Sequence, residues 1–386
     1  MIHIIRNIPS ILAEDTNIES TNRLTALDVF RGITIASMII VNMPGSWSYV
    51  YSPLRHAKWH GCTLTDLVFP FFLFAVGAAM SYSFGKYENR ITKLAVKKIL
   101  IRAALIFLIG LALNIFPFKT PLSNLRILGV LQRIGIAYGI AALLYLCLNQ
   151  TKLLIVSGII LIGYWLLMLG FGRGDPYAVE TNLVRIIDLK IIGENHLWKG
   201  LGMPFDPEGL LSTLPSVVTV ISGALIGKLI QSAANLKSAV YKLLIIAAAA
   251  ILLGKIWDIF FPINKYIWTS SYVLFTSGLA VLILAILLWF IDVRGYKKWA
   301  FPFVVFGMNP LFLYVLSSIW VRIYIHFIKI TAPDGSVINA YKWLYTELFV
   351  PVAGNMIGSL LFAITHVFAF WMILLLLYRK RIFIKI

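Results

Sequence analysis

The chain has 386 residues, of which 60% are hydrophobic and only 13% charged, whereas a soluble domain carries about 25% charged residues. Long apolar runs override the two or three soluble domains that length alone would suggest. The net charge of +18 does not signal nucleic acid, because the basic residues cluster in short connections between those runs, as membrane topology requires.

In chain order, the first 22 residues are mixed polar. They show no apolar core or small-residue cleavage site of signal-peptide type, so they read as a retained cytoplasmic tail ahead of a membrane domain over 23–386. A bilayer span needs roughly 20 apolar residues. Runs of that kind fall at 26–43, 65–83, 99–116, 127–148, 152–170, 208–230, 240–258, 268–291, 301–325 and 357–378. The expected fold is all-α, a polytopic helical bundle of about ten transmembrane helices. The first span carries Asp28 and Arg31, the ninth Arg322 and the last His366. Cys62 lies in a polar loop and Cys147 near the end of an apolar run, so no disulfide between them is expected.

Basic residues set the orientation. One set of connections holds Lys86, Arg90, Lys93, Lys97 and Lys98, then Lys152, then Lys228, Lys237 and Lys242. It continues with Arg294, Lys297 and Lys298, and ends with Arg379, Lys380, Arg381 and Lys385. With Arg6 and Arg23 that set has eighteen members, against eleven on the other side, whose longer loops also carry acids. The denser basic side faces the cytoplasm, which places both termini inside. Loops 44–64, 171–207 and 326–356 then lie outside. Loop 171–207, starting Gly-Arg-Gly-Asp-Pro, is long enough to be a structured or functional element.

Charged groups inside apolar runs are expensive and mark candidate sites. Asp28 and Arg31, and likewise Lys255 and Asp258, are three apart on one helix face and can form structural ion pairs. Arg133, beside Gln132 in the fourth span, has no sequence-local acid. It needs an anion: a ligand phosphate, a distant carboxylate or a lipid head group. The densest polar cluster is the first outer loop, with Arg55, His56, Lys58, Trp59 and His60 ahead of Asp66. Histidine is the usual general base, and a nearby Asp can orient it, although two histidines in a basic loop are more often surface residues than catalysts. No Cys/His/carboxylate set has metal-ligand spacing there, so no metal is expected. His196, His326 and His366 are singletons with structural readings. Walker, dinucleotide and nucleophile-elbow motifs are missing.

A series of short motifs resembles the heparan-α-glucosaminide N-acetyltransferase family of transmembrane acyltransferases. They are Leu27-Asp28-Val29-Phe30-Arg31-Gly32, Val41-Asn42, His56-Ala57-Lys58-Trp59-His60-Gly61 and Thr65-Asp66-Leu67-Val68-Phe69-Pro70. Gly129-Val130-Leu131-Gln132-Arg133, Asp206-Pro207-Glu208-Gly209, Pro262-Ile263-Asn264-Lys265 with Trp268, Ser271 and Tyr272, Gly307-Met308-Asn309-Pro310, and Tyr378-Arg379-Lys380-Arg381-Ile382-Phe383 follow. Their order, from about residue 23 to the end, carries the resemblance.

The resemblance implies transfer of acetyl from acetyl-CoA to the amine of glucosamine or a terminal glucosaminide, in a compact bacterial form of the inner membrane. It implies His56 as the active-site histidine, either general base or nucleophile of an acetyl-imidazole intermediate, and Asn42 at the reacting centre, with Asp66 available to set the imidazole tautomer. His60 falls where animal members have another residue, and no role is carried to it. For the anionic donor, the basic candidates are Arg133, Lys265 and Arg126, with Gln132, Asn264 and Asn309 as polar lining. The expected partners are acetyl-CoA, an amino sugar and lipid, with a homodimer as the default assembly. Two other classes fit parts of the sequence. One is an amino-sugar transporter, for which no matching pair of broken helices is evident. The other is a membrane scaffold, which leaves the His/Trp/Asp cluster without a role.

Overall fold

A computed structural model describes residues 3–5, 24–84, 91–331 and 335–385. Arg6, Arg23, Lys86, Arg90 and most of the tail 1–22 lie outside these. The helices are α1 (Thr25–Asn42), α2 (Leu64–Phe84), α3 (Lys93–Ile115), α4 (Val130–Cys147), α5 (Gln150–Phe171), α6 (Leu183–Ile191) and α7 (Leu210–Gln231). There follow α8 (Leu236–Asp258), α9 (Ser270–Leu287), α10 (Phe301–Met308), α11 (Pro310–His326), α12 (Ala340–Leu344) and α13 (Val350–Arg379). Short strands β1 (His3–Ile5) and β4 (Phe383–Lys385) pair antiparallel, as do β2 (Lys329–Thr331) and β3 (Val337–Asn339). The fold is all-α, as expected. Among the described residues nine helices are long and apolar enough to cross a membrane, or ten if the bent pair α10–α11 counts as one span.

The chain divides into two compact units, one of residues 1–54 and 286–386 and the other of residues 55–285. In the second unit α7 is central and packs on α2, α4, α5 and α6. Glycines permit the closest of these approaches. A Cβ on Gly77 would lie 1.8 Å from the Val220 carbonyl oxygen, and one on Gly223 2.0 Å from that of Phe74, so α2 and α7 touch backbone to backbone. The outer helices α3, α5 and α8 present Leu108, Ile159, Leu166, Ile245 and Leu252 outward. Such apolar faces, on helices whose backbone groups are satisfied internally, suit hydrocarbon.

In the first unit α1 packs on α10 and α13. The first turn of a helix has N–H groups without intrahelical partners; here the Asp292 carboxylate accepts from Thr25 at 3.3 Å and from Ala26 at 2.9 Å. Asp28 pairs with Arg31, the expected i,i+3 pair.

Two expected spans differ. The run 301–325 is not one straight helix: it bends by 71° between α10 and α11. Asn309 occupies the break, and Pro310, which has no N–H to donate, starts the next helix. The final helical stretch runs from 340 to 379 rather than 357 to 378, through a π-helical turn at 345–349 and a kink at Gly354, where φ is +69°. Residues 340–356, expected in an outer loop, are thus largely helical. Both irregularities lie in the first unit, so they are not matched breaks in two halves.

Candidate active site

Asp66 is the third residue of α2, preceded by Thr63 at the N-cap position. Its carboxylate oxygen Oδ2 accepts from the backbone N–H of Thr63 at 3.1 Å, the reciprocal half of a capping box. The same oxygen takes the N–H of Ala57 at 3.0 Å, which folds the loop back over the helix start. The Thr63 hydroxyl lies 3.0 Å from Oδ2 and 2.7 Å from the Arg55 carbonyl, and its single proton serves one of the two. The Asp66 carbonyl accepts from the Tyr272 hydroxyl of α9 at 2.5 Å. Asp66 is 0% exposed.

The remaining carboxylate oxygen, Oδ1, faces His56 Nδ1 at 2.7 Å. The His56 side chain is 37% exposed, so its far edge is open. Lys265 Nζ completes the group, 3.4 Å from Asp66 Oδ1 and 3.0 Å from His56 Nδ1. These two contacts compete. A carboxylate only accepts, so a proton on Nδ1 satisfies Asp66, and Nδ1 then has no lone pair for Lys265. That tautomer leaves Nε2 unprotonated, the form a general base needs.

Lys265 reaches this position because residues 259–269, between α8 and α9, form a wired turn rather than a slack loop. Asp258 accepts from the Ile263 N–H at 2.6 Å, and Asn264 Oδ1 from that of Ile267 at 3.1 Å. Asn264 and Thr269 exchange bonds in both directions. Ser271 donates to the Phe261 carbonyl at 2.5 Å. Gly61 donates to the Ile263 carbonyl at 2.7 Å, stitching the histidine loop to this turn. Trp268 sits at φ +49°, an uncommon conformation for a non-glycine residue and one that clusters at functional sites.

Because Asn264 Oδ1 is occupied by an N–H, its Nδ2 faces outward and lies 3.3 Å from His60 Nδ1. His60 Nδ1 therefore accepts, which puts a neutral ring's proton on Nε2. Burial lowers the His60 pKa, against the pull of Asp175 and Asp258. Burial likewise lowers that of Lys265, against Asp66 and then Glu208. Cys62, nearby, is pushed up to about 12 by burial and by Asp66, and it and Cys147 are free thiols.

An aromatic cover lies beside the loop. Trp59 stacks on Tyr266, with ring centroids 5.3 Å apart, and meets Phe205 edge-on at 5.4 Å. Its Nε1 donates to the Tyr177 carbonyl at 2.8 Å, tying segment 171–207 to the histidine loop. That segment is structured, as its length suggested, with α6 capped by Asn182 and Arg185 bonded to the Pro204 carbonyl.

Arg133 is 1% exposed, 5.0 Å above the Trp268 ring, and bonds Ser212 and the Gly209 carbonyl. Its Nε and Nη1 have no acceptor among the described residues. Arg126, in contrast, holds both oxygens of Asp206 at 2.7 and 2.9 Å and Glu208 at 2.5 Å. These carboxylates raise its pKa against burial. Gln132 donates to the Ile127 carbonyl at 3.0 Å. Asp188 accepts from the Leu210 N–H at 2.9 Å, and burial pushes its carboxyl up to about 7.

Of the candidates from sequence, then, His56, Asp66 and Lys265 form one group, with Asn264 one residue away and bonded to His60. Gln132 and Arg133 stand on α4, and Arg126 is committed to two carboxylates. Asn42 and Asn309 belong to the other unit. Asn42 is exposed at the end of α1, whereas Asn309 is 1% exposed. The Asn309 amide is used at both ends, donating to the Ile382 carbonyl at 3.1 Å and accepting from the Ile384 N–H at 2.8 Å. His196 and His366 bond backbone carbonyls, as their structural readings required. Sequence reasoning missed the two backbone donors to Asp66, although Thr63-x-x-Asp66 is a readable capping signature. It also missed the meeting of Lys265 with His56, for which no local signal exists.

The sequence model of a family described as "Heparan-alpha-glucosaminide N-acetyltransferase, catalytic" matches residues 23–231. The chain is 31% identical over 359 residues to heparan-alpha-glucosaminide N-acetyltransferase of Mus musculus, covering 78% of this chain and 54% of the mouse protein. The Homo sapiens protein of the same name is also 31% identical, over 350 residues, covering 76% of this chain and 52% of its own length. The chain thus spans about half the length of the curated relatives it matches. On the family match and the extent of these identities, the chain belongs to the heparan-alpha-glucosaminide N-acetyltransferase family.

Proposed function

We propose that the chain is a multi-pass membrane N-acetyltransferase that moves acetyl from acetyl-CoA to the amino group of glucosamine or a terminal glucosaminide. The observation that carries this reading is the His56–Asp66 contact: an open imidazole edge, backed through Nδ1 by a buried carboxylate that is itself held by two backbone amides. Nε2 takes a proton from the acceptor amine as nitrogen attacks the thioester carbon. The C–N bond forms, the C–S bond breaks, and the departing sulfur takes the proton back from Nε2. General-base catalysis of this kind contributes about 10²–10⁴-fold.

The residues present suit an anionic donor. Arg133 has two buried N–H groups still to be satisfied, so an anion is chemically at home there. Arg126, already neutralised, keeps the Asp206–Glu208 turn in place beside it. The basic connections support a cytoplasmic position for both termini and an outer-face position for His56 in a bacterial inner membrane.

Purified protein incubated with labelled acetyl-CoA and glucosamine should form N-acetylglucosamine. His56→Ala should reduce turnover by at least about 10²-fold with an unchanged thermal unfolding midpoint. Turnover unaffected by that substitution overturns the role of His56. Counterflow of labelled amino sugar in proteoliposomes without acetyl-CoA would favour the transporter instead.

A further inference from the structure

Lys265 stands where it changes what His56 can do. Asp66 Oδ2 is saturated by the backbone N–H groups of Ala57 and Thr63. Only Oδ1 remains, and it meets both His56 Nδ1 at 2.7 Å and Lys265 Nζ at 3.4 Å. With the Nδ1 proton directed at Oδ1, the ammonium 3.0 Å from Nδ1 has no lone pair to take. It lies against the ring edge as a positive charge whose counter-ion is Asp66 Oδ1 at 3.4 Å. When Nε2 accepts a proton the ring becomes a second cation at that distance. Like charges so close disfavour the charged form.

We propose that Lys265 is a positioning residue that opposes charge on the His56 imidazole, so that the proton taken from the amine is passed on to the leaving thiolate instead of being held by the His56–Asp66 pair. The inference rests on the acetyltransfer reading of the site. It assigns Lys265 to the proton rather than to the donor's phosphates. The Lys265 side chain is 16% exposed. Burial works against its own charge, and Asp66 and Glu208 sustain it.

Other charged or titratable groups surround the pair, and the Tyr272 hydroxyl bonds the Asp66 carbonyl. Arg55, Lys58, His60 and Cys62 lie on the same loop as His56, and His60 is turned to Asn264. Glu208, at the entry to α7, bears on Lys265. Lys255 and Asp258, at the end of α8, pair with each other at 2.9 Å. Lys265 Nζ reaches the His56 ring at 3.0 Å.

The test uses the full-length protein in detergent and the variants Lys265→Met, Lys265→Gln and Lys265→Arg. Diethyl pyrocarbonate acylates the neutral imidazole only, and mass spectrometry of the peptide carrying His56 reports its modification whether or not the enzyme turns over. In Lys265→Met or Lys265→Gln the pH midpoint of modification should rise by about one unit. The acid limb of kcat/KM should move with it, and Lys265→Arg should restore both. An unmoved midpoint in Met and Gln variants overturns the proposal. So does a rise in KM for acetyl-CoA with an unshifted profile, which would return Lys265 to the phosphates. If the midpoint moves but wild-type protein acetylates no amino sugar, the electrostatic inference stands and the acetyltransfer reading falls.

Discussion

At the scale of single residues, the site depends on which lone pair each atom keeps. Asp66→Asn retains shape but puts an amide where His56 Nδ1 finds its acceptor at 2.7 Å, so the ring is free to take the other tautomer. We expect kcat to fall by about 10²–10⁴-fold, read from initial rates, with folding checked by thermal unfolding. Asp188 offers a separate experiment. Its carboxyl is raised to about 7 by burial, so the folded state binds a proton that the unfolded chain has lost. Stability from this group is therefore complete below about pH 4 and is lost as pH rises towards 7. Asp188→Asn should flatten the fall of the unfolding midpoint between pH 5 and 7 (roughly the window set by that shift); an unchanged slope would assign the pH dependence elsewhere. The contact of His56 with Asp66 was legible because both stand in one loop and one helix start, ten positions apart. Lys265 was read as a phosphate ligand because nothing local ties it to a residue 209 positions earlier. The pairing of Gly61 with the 259–269 turn, the Asn264–His60 bond and the Trp59–Tyr266 stack bring it there.

At the scale of elements, spans were legible wherever about 20 apolar residues ran without interruption. They were misread where structure turns on a single residue. Asn309 looked like polar lining, yet it ends α10 and bonds the backbone at 382 and 384 on both sides of its amide. Residues 340–349 were assigned to a loop because Lys342 and Glu347 dilute their apolar character, although Asn339 caps a helix there through the Lys342 N–H at 2.8 Å. Helix contact gives the prediction at this scale. Gly77→Ala places a carbon 1.8 Å from the Val220 carbonyl and should destabilise the α2–α7 pair by about 1–3 kcal/mol. Gly163→Ala on α5 meets nothing within 4 Å and should leave the unfolding midpoint unchanged or slightly raised. Equal midpoints for the two variants would mean that the close approach is not made.

At the scale of the whole molecule, orientation relative to the bilayer decides which compartment supplies the acceptor. In a background with Cys62 and Cys147 replaced by serine, Lys58→Cys should react with an impermeant maleimide on intact cells, and Lys297→Cys only after permeabilisation. The reverse pattern would move the proposed chemistry to the cytoplasmic face. The histidine loop itself is fastened to Asp66 through the main-chain amides of Ala57 and Thr63. A fastening made of peptide groups is indifferent to side-chain identity. Position 58, exposed between them, can therefore change its side chain while the imidazole keeps its aim.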